Sequence, residues 1–290
     1  MVLPKEHHVF SFSKGHDPAM RVTAPATLEI ETLDCFANQL RDPSDTLEQL
    51  DWDRVNPATG PVYLEGAEPG DTLKVTINRI DLDRQGAICC LEKGGTLGHL
   101  IEGMHLRITP VEDNRVKYLD LEIPVQKMVG VIGVAPAGEP VSTGTPGRHG
   151  GNMDTVMISE GSTVYLPVAA PGALFAVGDC HAAMGDGEIG VAALECPATV
   201  NLTLDLVKGR ALEYPFLENK SEFAALVSKP TADEAISRAT ELMFEFLAER
   251  LTAYSTPEII MLMSLVGDVQ VSQVVNPEKT VRFVFPKQYA

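Results

Sequence analysis

An α+β fold is predicted, mainly antiparallel β in sandwich or barrel-like sheets, with two helices near the C-terminus. Three observations carry this. Short β-type runs broken by turn signals occupy most of the chain, helical periodicity appears once and late, and strand patterning returns after it. In the first region, to about residue 125, Ala26–Thr32, Thr72–Leu82 and residues 86–91 read as strands; residues 73–77 alternate apolar and polar with period two, as a half-buried strand does. Residues 57–60 and 68–71 read as turns because Pro and Gly or Asp cluster there.

The second region, 126–210, carries the unusual motifs. Residues 128–135, 164–168, 173–177 and 189–194 are predicted strands, the first of them continuously apolar and so buried. A loop of roughly 20 residues joins Ala135 to Met157, and loops of that length inside a compact domain are uncommon unless they carry function. The third region, 211–290, changes period. Thr231 to Glu234 spells a capping box, and Ile236, Ala239, Met243, Phe246 and Leu247 follow helical spacing, predicting a helix to about Tyr254. Thr256 is expected to cap a second helix with Pro257 first inside it and Gly267 just past its end. Residues 269–275 and 281–285 return to strand around a turn at Asn276. A single domain over 1–290 is expected, since no repeat or low-complexity linker divides the chain.

Composition narrows the function. A net charge of −17 argues against nucleic acid as a partner, because phosphate binding needs clustered Lys and Arg. The first residues lack the apolar run of a signal peptide, and the longest apolar run, near residues 259–266, is far short of a membrane span. A cytoplasmic protein with no membrane partner is therefore expected. Five cysteines without a CxxC pair suggest neither a zinc ribbon nor a disulfide framework. There is no G-x-S-x-G elbow, P-loop or H-E-x-x-H; residues 185–190 spell G-x-G-x-x-G, but acids fill the gaps and Pro197 leaves little room for the helix such a loop needs.

Residues 178–195 stand out, with four acids, one histidine and four glycines in eighteen positions after an apolar run. Asp179 and His181 are two apart, so on a strand both project from one face, as two ligands of a metal or a carboxylate orienting an imidazole would. The glycine-rich turn that follows brings Asp186 and Glu188 back towards the same end. A simple hairpin would leave Glu195 roughly 20 Å or more from that turn, at about 3.4 Å per residue, so Glu195 joins only if the hairpin is not simple. A second constellation is Gly150, Gly151, Asn152 and Asp154, with His149 before them; paired glycines can present backbone N–H groups to an anion. Asp34 interrupts apolar neighbours and needs a partner, whether a hydrogen bond or a metal. His99 and His105 flank residues 100–104; either is a candidate ligand, with a packed or surface histidine the better reading. Cys180 beside His181 invites a Cys–His nucleophile, although adjacent strand residues point oppositely.

The ordered series Gly-Gly-Asn-Met-Asp154, Leu-Pro-Val168, Gly-Ala-Leu-Phe175, Gly-Asp-Cys-His-Ala182 and Gly-Asp-Gly-Glu188 resembles the acetamidase/formamidase family. Glu-Thr-Leu-Asp-Cys-Phe36 and Val-Ser-Gln-Val-Val275 fit the same family, so the resemblance spans nearly the whole chain. It departs at Met184, where a formamidase-like glutamine is expected, and at Gly190, near where formamidases tend to carry a Cys-Gly pair. The resemblance implies hydrolysis of a short aliphatic amide to a carboxylic acid and ammonia, a bound divalent metal (zinc first, calcium second) and a homo-oligomer. The expected metal ligands are drawn from Asp34, Asp154, Asp179 and His181. Asp186, Glu188 or Glu195 would move the water proton, and Gly150, Gly151 and Asn152 would stabilise the oxyanion. A covalent amidase using Cys180, and a non-catalytic small-molecule or metal-binding homologue, are the alternatives.

Overall fold

The structure is a computed structural model describing residues 1–290, apart from the side chain of Leu47. A nine-stranded sheet runs in the order Val2–Leu3, Ala26–Thr32, Ala198–Val207, Thr72–Leu82, Thr163–Pro167, Phe216–Glu218, Glu222–Lys229, Lys279–Pro286 and Asp268–Gln273. Across it lies a six-stranded sheet, ordered Gly150–Asn152, Met128–Gly133, Phe175–His181, Ala58–Glu65 and His8–Val9, with Met20–Thr23 parallel to Ala58–Glu65. Almost all pairings are antiparallel. A four-stranded sheet of Gln85–Leu91, Met104–Glu112, Arg115–Tyr118 and Leu121–Pro124 projects from one end, and no sheet closes into a barrel. The predicted fold class is thus found in its sandwich form.

Alternation explains the sandwich. Leu28 and Ile30, Val75 and Ile77, and Val200, Leu202 and Leu204 lie two apart on three neighbouring strands, and all are buried against Val62, Leu64, Ile132, Phe175 and Val177 of the facing sheet. The long sheet has a second apolar face at its far end. There Val281, Phe283 and Phe285 turn towards two helices, α1 (Ala232–Ala248) and α2 (Thr256–Val266), and meet Ala235, Ala239, Met243, Leu247, Ile259 and Met263. The alternate residues of that strand, Thr280, Arg282 and Val284, point the other way, towards the sandwich and its polar end. No helix is long and apolar enough to cross a membrane.

The Thr231 cap is as predicted, with its hydroxyl 3.3 Å from the amide of Glu234. Helix α1 stops six residues short of Tyr254, because the amide of Arg250 bonds to Leu247 and tightens the last turn. Ser255, not Thr256, caps α2: its amide and hydroxyl both donate to Glu258, at 2.7 and 2.6 Å. Residues 57–60 are not a turn. Residues from Ala58 onward open a strand paired to both His8–Val9 and Phe175–His181. Residues 189–194 are not a strand either but a bent excursion, and the long loop after Ala135 contains two short strands, Val141–Ser142 and Gly150–Asn152.

The turn at residues 68–71 is locked by Asp71, whose carboxylate accepts from the amides of Glu68 and Gly209, each at 2.9 Å, and from the Lys208 ammonium at 2.7 Å. Burial would raise this carboxyl, but Lys208 and the two amides outweigh it and hold it below the usual carboxylate range. A depressed carboxyl adds stability above its unfolded value, and that stability is lost as pH falls through the folded one. Asp71→Asn should therefore cost about 1.5–3 kcal/mol in urea unfolding at neutral pH. The gap to wild type should close in acid; a gap independent of pH would contradict this account.

Candidate active site

The site begins with a kink in the strand Phe175–His181. Phe175 and Val177 enter the main core, so strict alternation would send Asp179 there too. Instead Asp179 has φ of 53°, Cys180 turns into the core, and Asp179 and His181 emerge together on the other side. The paired strand makes the same change of face at Gly130, since Val129 and Ile132, three apart, both reach the core. Gly130 must be glycine: a Cβ there would lie 2.5 Å from Asp154 Oδ1 and 2.5 Å from Asp179 Oδ2.

Five side chains converge at this point. Nε2 of His181 lies 3.4 Å from Asp179 Oδ2 and 3.2 Å from Glu195 Oε2. Ligand atoms of Asp154, His181 and Glu188 all fall within 4.8 Å of one another, and those of Cys35, Asp179 and Glu195 form an adjoining set with the same spread. Asp154, Asp179, His181, Glu188 and Glu195 are all buried. Asp154 Oδ1, Asp179 Oδ1, Glu195 Oε2 and both ring nitrogens of His181 lack any hydrogen-bond partner. Buried polar atoms are normally paired, so a concentration of unpaired acceptors marks a place built for a cation or a polar ligand.

Electrostatics agrees with the crowding. Burial, then the charge of Asp179, pushes the Asp154 carboxyl up to about 7. Burial pushes Glu195 up to about 8, and burial together with Asp154 drives Glu188 well above the usual glutamate range. Asp179 is held low: burial opposes ionisation, but His181 outweighs it. Burial disfavours a charged His181, yet Glu195 and Asp179 prevail and raise it well above its ordinary value. Without a cation, the cluster balances itself by retaining protons.

The structure gathers Asp154, Asp179, His181, Glu188 and Glu195 from the predicted set. Glu195 is a central member because the hairpin is not simple. Residues 183–193 bulge outwards, so His181 pairs directly with Glu195, and Ala193 donates its amide to Glu195 Oε1 at 2.9 Å. Asp34 is buried beside the cluster but outside both ligand sets; Oδ1 accepts from the amide of Asn38 at 2.7 Å, and Oδ2 lies 3.8 Å from Arg41. Burial lifts its carboxyl to about 6.

Other predicted residues are committed elsewhere. Asp186 faces Arg282, which grips it through two nitrogens at 2.9 and 2.5 Å. Gly150 donates its amide to Gly147, and Gly151 is paired with Ile132 in the ladder, so the glycine pair forms a strand rather than an anion nest. Asn152 keeps a buried, unpartnered amide oxygen. His149 is buried edge-on to Phe12, its ring pushed down to about 4 by burial, and belongs to neither set. Cys180 lies in the core below Thr32, its thiol pushed up to about 12 by burial, which removes the thiolate a nucleophile needs.

Four contributors were missed. Cys35 counted only as a cysteine, and Gly130 only as part of an apolar run. Asn276 donates to Asp154 Oδ2 at 2.6 Å and to the carbonyl of Asn152 at 2.9 Å. Arg282 is 2% exposed, and besides Asp186 it donates to Gln270 and Ser272. The amide of Gly187 bonds to Ser272, and that of Val274 to Gly187. The C-terminal hairpin thus holds both Asp154 and the turn bearing Glu188. A charge inside the run Val-Arg-Phe-Val-Phe285 was the available signal for Arg282; Asn276 looked like an ordinary turn residue. Outside the cluster, a cavity of about 600 Å³ opens between the segment 183–193 and the four-stranded sheet, and Glu188 is the cluster carboxylate that lines it.

The chain as a whole is similar to known proteins. Residues 12–143 and 137–287 match the model of the Acetamidase/Formamidase family. The structure superposes with a TM-score of 0.96 on a predicted acetamidase/formamidase from Thermoanaerobacter tengcongensis, 44% identical, covering 99% of this chain and 96% of that one. It superposes equally, at 0.96, on an acetamidase from Bacillus halodurans, 43% identical, covering 100% of this chain and 98% of that one. A putative formamidase of Schizosaccharomyces pombe is 28% identical over 246 residues, 63% of this chain; the chain spans 60% of that relative's length.

Gly130→Ala should lower stability by about 1–3 kcal/mol, because the added methyl meets two carboxylate oxygens that have nowhere to retreat. Thermal melting measures it, and a variant as stable as wild type would show that the two acids can move apart.

Proposed function

This chain belongs to the acetamidase/formamidase family, and from that premise we propose that it hydrolyses an amide to a carboxylate and ammonia at the His181 cluster. The observation that carries the reading is the set of buried, unpartnered atoms of Asp154, Asp179, His181 and Glu195, opening through Glu188 onto a cavity. In the reaction, a water oxygen bonds to the amide carbon and the carbon–nitrogen bond breaks. One water proton ends on the leaving nitrogen.

Glu188 is the group we assign to that proton. It lies in the cluster, lines the cavity, and carries a carboxyl raised by burial and by Asp154, as a proton-transferring acid requires. Asp179 and Glu195 flank Nε2 of His181 at 3.4 and 3.2 Å, and Asn276 fixes Asp154. Asn152 has an unpartnered amide oxygen, which can accept from the substrate's amide nitrogen but cannot stabilise an oxyanion. The donor set fits a divalent cation: imidazole, carboxylates and the neighbouring Cys35 thiol suit zinc first, with calcium second on the carboxylates alone. Asp154 and His181 of one set, which Glu188 also joins, and Asp179 and Glu195 of the adjoining set would hold it, with Cys35 alongside. When bound, such an ion acidifies water and polarises a carbonyl. A nucleophilic Cys180 has no support, because its thiol sits in the core.

Ammonia release from a panel of short amides tests the reading, and a protein that binds amides without releasing ammonia would instead be a binding homologue. Glu188→Gln should reduce turnover about 10²–10⁴-fold, the usual contribution of general acid–base catalysis. Asp186→Asn should leave it within an order of magnitude, because Asp186 serves Arg282; equal losses in the two variants would reverse the assignment. Dialysis against a strong chelator should abolish turnover and lower the melting temperature, and readdition of zinc should restore both. Full activity in protein shown by elemental analysis to be metal-free would rule out the metal-assisted route.

A further inference from the structure

We infer that the substrate of this site is an amide longer than acetamide, with an apolar body and an anionic far end that pairs with Arg107. The inference rests on the amide hydrolysis proposed above and specifies its substrate class. A two-carbon amide would fill little of a cavity of about 600 Å³, which lies in the range that holds whole drug-sized ligands. Much of its wall is apolar, with Ile88, Leu106, Met184 and Ala193 among the lining. Met184 stands where a formamidase-like glutamine is expected; it packs on Met128 and Ala193 and removes a polar group from the wall.

Its lining carries charge of both signs. Glu188 belongs to the cluster where the amide must lie. Asp186 also lines the space, but its charge is matched by Arg282. From the four-stranded sheet Arg107, opposite Ile88 in the ladder, also lines the cavity, with its guanidinium 5.6 Å from the centre of the Tyr118 ring. Among the described residues no carboxylate pairs with it, although the chain carries 40 Asp and Glu against 23 Lys and Arg. An unpaired arginine lining a largely apolar cavity, in so acidic a protein, is suited to a carboxylate brought by the ligand.

The test compares kcat/KM for acetamide, hexanamide, adipic acid monoamide and the cationic ε-aminocaproamide by ammonia release. Hexanamide should exceed acetamide by up to about fourfold for each methylene that becomes buried. Adipic acid monoamide should exceed hexanamide about tenfold, the effect of one charge-assisted hydrogen bond. In Arg107→Gln that preference should vanish, and in Arg107→Glu it should pass to ε-aminocaproamide. Arg107 is exposed, so both variants should melt like the parent. Acetamide cleaved as well as or better than the longer amides would overturn this inference while leaving amide hydrolysis standing, and so would a carboxylate preference unchanged in Arg107→Gln. Failure to release ammonia from any of the four would overturn the proposed function and this inference with it.

Discussion

The mutual repulsion of buried carboxylates around one imidazole is the constraint that the polar end of this sandwich answers. Asp154, Asp179, Glu188 and Glu195 all lie within reach of His181, away from water. Acids this close do not all ionise in a low-dielectric interior without a matching positive charge. A core of this size would bury leucines there more easily. That it buries acids instead, and leaves several oxygens without partners, means the fold sustains an arrangement that favours something other than its own stability.

Several devices sustain it. Asp154, Asp179 and Glu188 have φ of 42°, 53° and 48°, a left-handed conformation that side-chain-bearing residues seldom adopt and that costs of order 1–3 kcal/mol each. At Asp179 the unusual dihedral has a clear effect: it swaps the faces of the strand, so that the thiol of Cys180 enters the core and the acid leaves it. Gly130 supplies the room opposite. The C-terminal hairpin then closes over the assembly, with Asn276 on Asp154 and Arg282 on Asp186.

The sheet architecture could be read from the sequence because alternation is a local property. Ala26–Thr32 and Thr72–Leu82 appear with the boundaries their patterns predicted, and the Thr231 cap was equally plain. Misreadings came where tertiary demands override local preference. Residues 189–194 look like a strand but bend outwards to admit a cavity, which is why Glu195 lies against His181 rather than far from it. Thr256 yielded to Ser255 because Glu258 reaches back to that residue. In the site, motif residues adjacent in sequence were recognisable as a group, yet which carboxylate points inward was not. Asp186 and Glu188 are two apart in one turn, and only the buried Arg282, 96 positions away, separates their roles. Asn276 and Gly130 act through contacts that no spacing rule announces.

The hairpin has a consequence for the order in which the molecule can become competent. Asp34, Asp154, His181 and Glu195 are all synthesised long before Asn276 and Arg282. Until those two arrive, the turn bearing Glu188 has no anchor and Asp154 lacks its donor. The contacts that fasten Asp154 and the turn bearing Glu188 are therefore completed only by the last strands to be translated, which also bring Val284 to the main core. Core and confined charge are in this sense closed by one and the same stretch of chain.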